Sequence, residues 1–241
     1  MNDELEGLLS VNKPAKMTSF QVVRNIKRIL GAKKAGHCGT LDPMASGVLL
    51  VLLGGSTKLQ EKFMDLPKVY RAKFLLGVMT DTGDITGKIM ARKEYKEQKI
   101  EEILKILNTF VGDIDQIPPM YSALKYGGRK LYELARKGIE VERDARPVKI
   151  YSIEYLSLED NVLELRIECS RGTYIRVLGE DIGKRLGCGA TMTYLCRERI
   201  GPFAVNGAID ANDSTSLEKE NITNRVISEK DLAELLKDSR A

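Results

Sequence analysis

The run VLLVLL at positions 48–53 contains no polar side chain and is bracketed by Gly47 and Gly54. It is too short for a buried helix, and as a strand it offers no position to solvent, so it predicts a strand buried inside a sheet. Positions 69–76 continue the β signal after Pro67. Positions 148–158 and 161–170 read as an antiparallel hairpin turning at Glu159-Asp160-Asn161, with Leu163, Leu165, Ile167 and Cys169 alternating along its second strand.

Helical periodicity separates these strands. TSFQVVRNIKRILG has Thr18 or Ser19 as N-cap, apolar residues at Val22, Val23, Ile26, Ile29 and Leu30, and Gly31 as its stop. KIEEILKILNTF places Ile100, Ile103, Leu104, Leu107 and Phe110 on one face, RKLYELARKG forms a short helix ending at Gly138, and YIRVLGEDIGKRLG is stopped by Gly187. TDTGDITGK from Thr80 is turn chemistry. IPPMYSALKYGG, from Ile117, is barred from a helix or central strand by its prolines and glycines and reads as a loop-rich insertion. The tail from Asn206 to Ala241 is polar and acid-rich with one helix in SEKDLAELLKD, and is expected to pack on the edge of the domain. Strands and helices mix without strict βαβ alternation. The predicted fold class is α+β, a mixed, largely antiparallel sheet with flanking helices.

At 241 residues, 43% hydrophobic and 30% charged, the composition is that of a globular protein. The N-terminus is acidic before it is apolar, which is not a signal pattern, and no apolar run approaches the roughly 20 residues that span a bilayer, so a soluble cytoplasmic protein is expected. Cys38, Cys169, Cys188 and Cys196 lack paired metal-ligand spacing, so neither disulfides nor structural zinc are expected. Net charge is only +4, but it is unevenly spread. Leu8 to Thr40 carries Lys13, Lys16, Arg24, Lys27, Arg28, Lys33 and Lys34 without an acid, and Tyr121 to Ile150 carries eight lysines and arginines, Lys125 and Arg129 among them, against four acids. Two basic regions are offered to a polyanion, which points towards nucleic acid.

Before the buried run stands AGHCGTLDPMASG, with the only histidine, His37, and the pair Asp42-Pro43. Pro43 biases Asp42 towards an extended backbone, and Gly36, Gly39, Ala45, Ser46 and Gly47 let a planar partner approach the main chain. A loop feeding directly into a buried strand is a rigid mount for a reactive carboxylate. His37 has no nucleophilic serine in an elbow motif to serve, and an adjacent His-Cys pair is poor metal-ligand spacing, so serine-hydrolase and metal readings fail.

GHCGTLDPMASGVL resembles the catalytic motif of the TruB family of tRNA pseudouridine synthases. The likeness continues in order through VNKPAKMTSF, KVYRAKFLLG, TDTGDITG, IPPMYSALKYGGRKLYELARKGIEV, CSRGTYIRVLGEDIGKRLGCGA and YLCRERIGPF. The resemblance implies the pseudouridine synthase catalytic fold and isomerisation of uridine 55 in the T loop of tRNA, with no cofactor, no metal and no protein partner, by a monomer. It assigns Asp42 as the catalytic aspartate, Tyr70 as the active-site tyrosine and Arg176 as the arginine that pairs with the aspartate. Leu195 matches the leucine packed near the base and His37 the histidine that holds the everted nucleotide. Lys13, Gly39, Thr40, Tyr174, Lys125 and Arg129 are further candidate substrate-binding residues in the same motifs. Lys16 stands where the family commonly has glycine. The expected organisation is one catalytic domain over 1–241, with a basic thumb-like RNA-binding insertion at about 117–150 and without the family's C-terminal PUA domain.

Two alternatives remain at this level. A non-enzymatic tRNA-folding module would use the same basic surfaces without needing Asp42. A guide-RNA-dependent subunit of the same superfamily would not need the basic insertion.

Overall fold

A computed structural model describes residues 5–238, which divide into two compact units, one of residues up to 70 together with those from 195, the other of residues 71–194. The first unit begins with β1 (Gly7–Lys13), α1 (Ser19–Leu30), β2 (Ala35–Cys38) and β3 (Ser46–Leu53), then a 3-10 turn, α2 (Gln60–Asp65) and the start of β4 (Lys68–Leu76). Thr18 caps α1 in a reciprocal capping box with Gln21, and Gly31 ends it in the left-handed conformation. β3 pairs antiparallel with both β1 and β2. Its two faces enter different clusters. Leu49, Val51 and Leu53 pack with Val22, Ile26 and Leu30 of α1, whereas Val48, Leu50 and Leu52 pack with Phe63 and Leu66. That is why its sequence has no polar position.

The second unit continues through β4, β5 (Val78–Thr80), β6 (Ile89–Arg92), α3 (Ile100–Asn108), β7 (Gly112–Gln116), β8 (Lys125–Tyr126), β9 (Arg129–Lys130), α4 (Leu131–Ala135), β10 (Arg146–Glu159), β11 (Val162–Cys169), α5 (Ile175–Arg185) and the first half of β12 (Ala190–Ile200). β4, β11, β10 and β7 lie side by side in that order, with β10 antiparallel to both neighbours. The β10–β11 hairpin turns at Asp160 and Asn161, both at positive φ, as a tight two-residue turn requires. α3 buries Ile103 and Leu107, while Ile100 and Leu104, expected on the same face, are exposed at 44% and 40%. The buried stripe is narrower than the apolar pattern because only one row of the helix meets α5 and β10.

The chain re-enters the first unit with the rest of β12, then β13 (Phe203–Ala204), β14 (Ile209–Asp210), α6 (Lys219–Thr223) and α7 (Glu229–Asp238). β14 adds to the edge of the sheet beside β1, in parallel. The tail is more than an edge covering, since Ile222 completes the cluster on α1 and Leu232 the cluster on the other face of β3. The fold is α+β with a mixed, mostly antiparallel sheet. No helix among the described residues is long and apolar enough to cross a membrane.

Candidate active site

In the first unit, Asp42 lies on the loop between β2 and β3, in a turn closed by the Ala45 amide donating to the Asp42 carbonyl at 3.1 Å. Each side of the turn is tied down. The Leu41 amide donates to Ser19 Oγ at 2.9 Å, and that hydroxyl donates to the Leu41 carbonyl at 3.2 Å. The Pro43 carbonyl accepts from the Lys16 amide at 2.7 Å. Lys16 has φ 70°, a left-handed geometry that glycine adopts without strain, which accounts for the family's usual residue there.

Two buried cations brace this loop. Lys13, fully buried, donates from Nζ to the carbonyls of Pro14 at 2.8 Å, Met17 at 2.6 Å and Pro43 at 3.5 Å. Burial lowers its ammonium from 10.5 to about 8, with Asp42 opposing the shift and Arg197 adding to it. Arg197 donates from Nε to the Val48 carbonyl at 2.8 Å and from Nη2 to the Gly39 carbonyl at 3.1 Å. Sequence reasoning passed over Arg197, whose only signal was its place in YLCRERIGPF. His37 lies on β2 opposite Val51, its buried Nδ1 without a hydrogen-bond partner. Burial first, and Arg197 second, push its pKa below the ordinary histidine value. Burial pushes the neighbouring Cys38 thiol up to about 12, which keeps it protonated and unreactive. Thr40 is exposed on the same loop, while Tyr70 on β4 and Leu195 on β12 are buried.

The remaining candidates belong to the second unit. Arg176, in the first turn of α5 and 5% exposed, donates to the carbonyls of Thr82 at 2.7 Å and Tyr121 at 2.9 Å, and its Nε lies 3.8 Å from Asp84 Oδ2. Asp84 is itself fixed, because its Oδ1 accepts from Thr82 Oγ1 at 3.0 Å and from the Thr86 amide and hydroxyl at 2.9 and 2.5 Å. On the next turn of α5, burial raises the Glu180 pKa, with Arg176 opposing and Asp181 and Asp84 adding. The Tyr174 amide donates to Gln116 Oε1 at 2.9 Å, which sets the start of α5. Asp84 and Gln116 were also missed, the first because TDTGDITG reads as an ordinary turn.

Lys125 and Arg129 sit on the β8–β9 hairpin, where Lys125 pairs with Lys130 and Tyr126 with Arg129 around Gly127-Gly128. Tyr126 is 53% exposed at the tip, and Lys130 and Arg136 lie 5.5 and 5.4 Å from the Tyr132 ring. Leu131 and Leu134 are buried and anchor the segment. The described residues hold no group of three or more histidine, cysteine or acidic side chains placed for a metal.

The family model for the N-terminal domain of TruB family pseudouridylate synthases matches residues 27–175, and that for the C-terminal domain of tRNA pseudouridylate synthase B matches residues 176–239. The tRNA pseudouridine synthase B of Endomicrobium trichonymphae is 51% identical over 90% of this chain and 94% of its own length. That of Clostridium tetani is 49% identical over 92% of this chain and 76% of its own. Among solved structures, a chain of a Cbf5-Nop10-Gar1 complex superposes with a TM-score of 0.73 at 31% identity, covering 95% of this chain. This chain spans about three fifths, 62%, of that one. With the two family models together matching residues 27–239, the chain belongs to the TruB family of pseudouridylate synthases.

Proposed function

We propose that the chain converts the uridine at position 55 in the T loop of tRNA to pseudouridine, with Asp42 as nucleophile and no cofactor. The bond between ribose C1′ and uracil N1 breaks, the base turns, and a bond forms from C1′ to C5. A proton leaves C5 and one is gained at N1, so the product is an isomer and no co-reactant is consumed. Family membership and relatives near 50% identity support uridine isomerisation in tRNA. The observation that carries the residue assignment is the Asp42 turn, fixed through its neighbours by Ser19 and Lys16, with Lys13 reaching the Pro43 carbonyl. Such fixation holds a nucleophile in place without reorganisation during the reaction.

The target must be flipped from the loop at a cost of a few kcal/mol, and stacking on Tyr70 returns about 1–3 kcal/mol. Arg176 pairs with Asp42 in this reading and orients its carboxylate. His37 and Leu195 receive the everted base, and the basic segment 117–150 closes on the T loop as a thumb. The enzyme works as a monomer in the cytoplasm on RNA without a protein partner, although the related chain in the Cbf5-Nop10-Gar1 structure is found in an assembly. The test is incubation of purified chain with a bare tRNA transcript, followed by site-resolved pseudouridine detection. Conversion at position 55 by wild type, lost in Asp42→Asn with tRNA affinity within a few-fold, is the expected result. Turnover by Asp42→Asn would refute the nucleophile, and dependence on an added guide RNA would favour the ribonucleoprotein reading.

A further inference from the structure

Arg197 is 1% exposed, among the largest fully buried side chains, and forms no ion pair with any described residue. A guanidinium held in the interior without a carboxylate partner is costly, and replacement by an apolar side chain of similar volume is often neutral or stabilising. Stability therefore gives a weak reason for an arginine here. What the side chain touches gives a better one. Its two donors reach Gly39 and Val48, the residues on either side of the segment that carries Asp42. Its main chain holds the same place, since Arg197 pairs in parallel register with Gly47, where a Cβ would stand 2.2 Å from the Arg197 carbonyl oxygen and 2.6 Å from its nitrogen. Gly47 has φ 106°, so both sterics and backbone require glycine there.

We propose that Arg197 is a positioning residue for the isomerisation: its planar fork clamps the two ends of the Asp42 loop to β12, and its unpaired charge gives that loop a fixed positive potential. An arginine suits this because one rigid group spans two carbonyls, one just past the end of β2 and one on β3, which a lysine point charge does not. The potential acts on other side chains, because Arg197 is among the groups that hold Lys13 and His37 below their ordinary pKa values. Arg197 touches no reacting atom in this scheme and works through Asp42, so the inference rests on the proposed role of that residue.

The test uses the full chain with Arg197→Met and Arg197→Lys, read by single-turnover pseudouridine formation, by tRNA affinity and by proton NMR. His37 is the only histidine, so one imidazole resonance reports the local potential. Arg197→Met should lower the single-turnover rate at least about 100-fold with Kd within about threefold, and should move the His37 midpoint upward. Arg197→Lys should keep the low His37 midpoint, because the charge remains, yet recover less than about a tenth of the rate, because the fork is gone. Near-wild-type turnover in folded Arg197→Met would overturn the proposal. So would a rate loss that only tracks the unfolded fraction while the His37 midpoint stays put. If the methionine variant does not fold, the lysine variant decides, with a wild-type rate overturning the clamp and a large loss in a folded protein supporting it. Failure of wild type to modify tRNA would instead strike at the proposed function, and the His37 midpoints would still report on the potential.

Discussion

The Asp42 loop and the Arg176 neighbourhood both bury cations, but they balance them differently. Around the loop, Lys13 and Arg197 are satisfied by main-chain carbonyls of residues 14, 17, 39, 43 and 48. Around Arg176, two carbonyls are joined by a carboxylate, Asp84, which is itself held by three hydrogen bonds, with Glu180 and Asp181 on the same helix. The loop thus holds its two cations on main-chain carbonyls, with Asp42 acting on Lys13 through charge alone, while Arg176 also lies beside a carboxylate that is fixed in place. The first arrangement depends on a lysine whose ammonium burial lowers to about 8, the second on a planar guanidinium fork beside a carboxylate.

The harshest way to break this contrast is Arg176→Lys. One ammonium cannot reach Thr82, Tyr121 and Asp84 together, because lysine lacks the planar fork. Single-turnover rates should fall at least about 100-fold, equivalent to about 2.7 kcal/mol. Asp84→Asn removes the charge and keeps the shape, so its loss should be smaller than that of Arg176→Lys. If Arg176→Lys turned over at the wild-type rate, Arg176 would have no part in the chemistry, and equal losses in both variants would mean that Asp84 acts directly.

Lys13 sharpens the same contrast through pH. Its folded pKa of about 8 lies below the ordinary 10.5, so between these values the unfolded chain holds a proton that the folded chain has released. Stability from this group is therefore lowest below pH 8 and rises with pH across the window, by up to about 3 kcal/mol for the full difference. Turnover should move the other way above about pH 8, as Lys13 loses the charge that faces Asp42. Urea unfolding of wild type and Lys13→Met at a series of pH values isolates the effect. Parallel curves for the two proteins would show that another group titrates there.

The sequence disclosed those parts of this comparison that depend on local rules. β3 was legible because burial on both faces forbids a polar residue, α1 because Thr18 and Gly31 mark its ends, and the β10–β11 turn because Asp160-Asn161 tolerates positive φ. Asp42, Tyr70 and Arg176 were singled out only through motif order, since each alone reads as a turn, strand or helix residue, and their catalytic roles remain proposals. Lys13 and Arg197 were not legible as buried charges. A lysine at the end of β1 and an arginine in CRER look solvated, and only the close approach of β12 to Gly47 and the carbonyls gathered around Lys13 put them inside. The tail misled for a similar reason, because its acid-rich composition hides the single apolar residues, Ile222 and Leu232, that enter the core.

The smallest expected effect concerns cations that are not buried at all. Lys125 and Arg129 stand on an exposed two-stranded hairpin whose anchors, Leu131 and Leu134, lie beyond it in the chain, so replacing both with alanine should leave the thermal midpoint unchanged. If each meets one phosphate of the T loop, its loss removes one released counterion, and the slope of log K against log salt should fall by about 0.7 per residue for single-stranded RNA. The double variant should then bind tRNA a few-fold more weakly at low salt and converge on wild type as salt rises. Its rate at saturating tRNA should match wild type, unlike that of Arg176→Lys, because a phosphate contact positions the RNA without entering the reaction. A slope equal to wild type would mean that the hairpin does not touch the backbone. A lowered saturating rate with an unchanged slope would instead place these side chains against the flipped nucleotide, and the line between buried cations that serve the chemistry and exposed ones that serve binding would have to be redrawn.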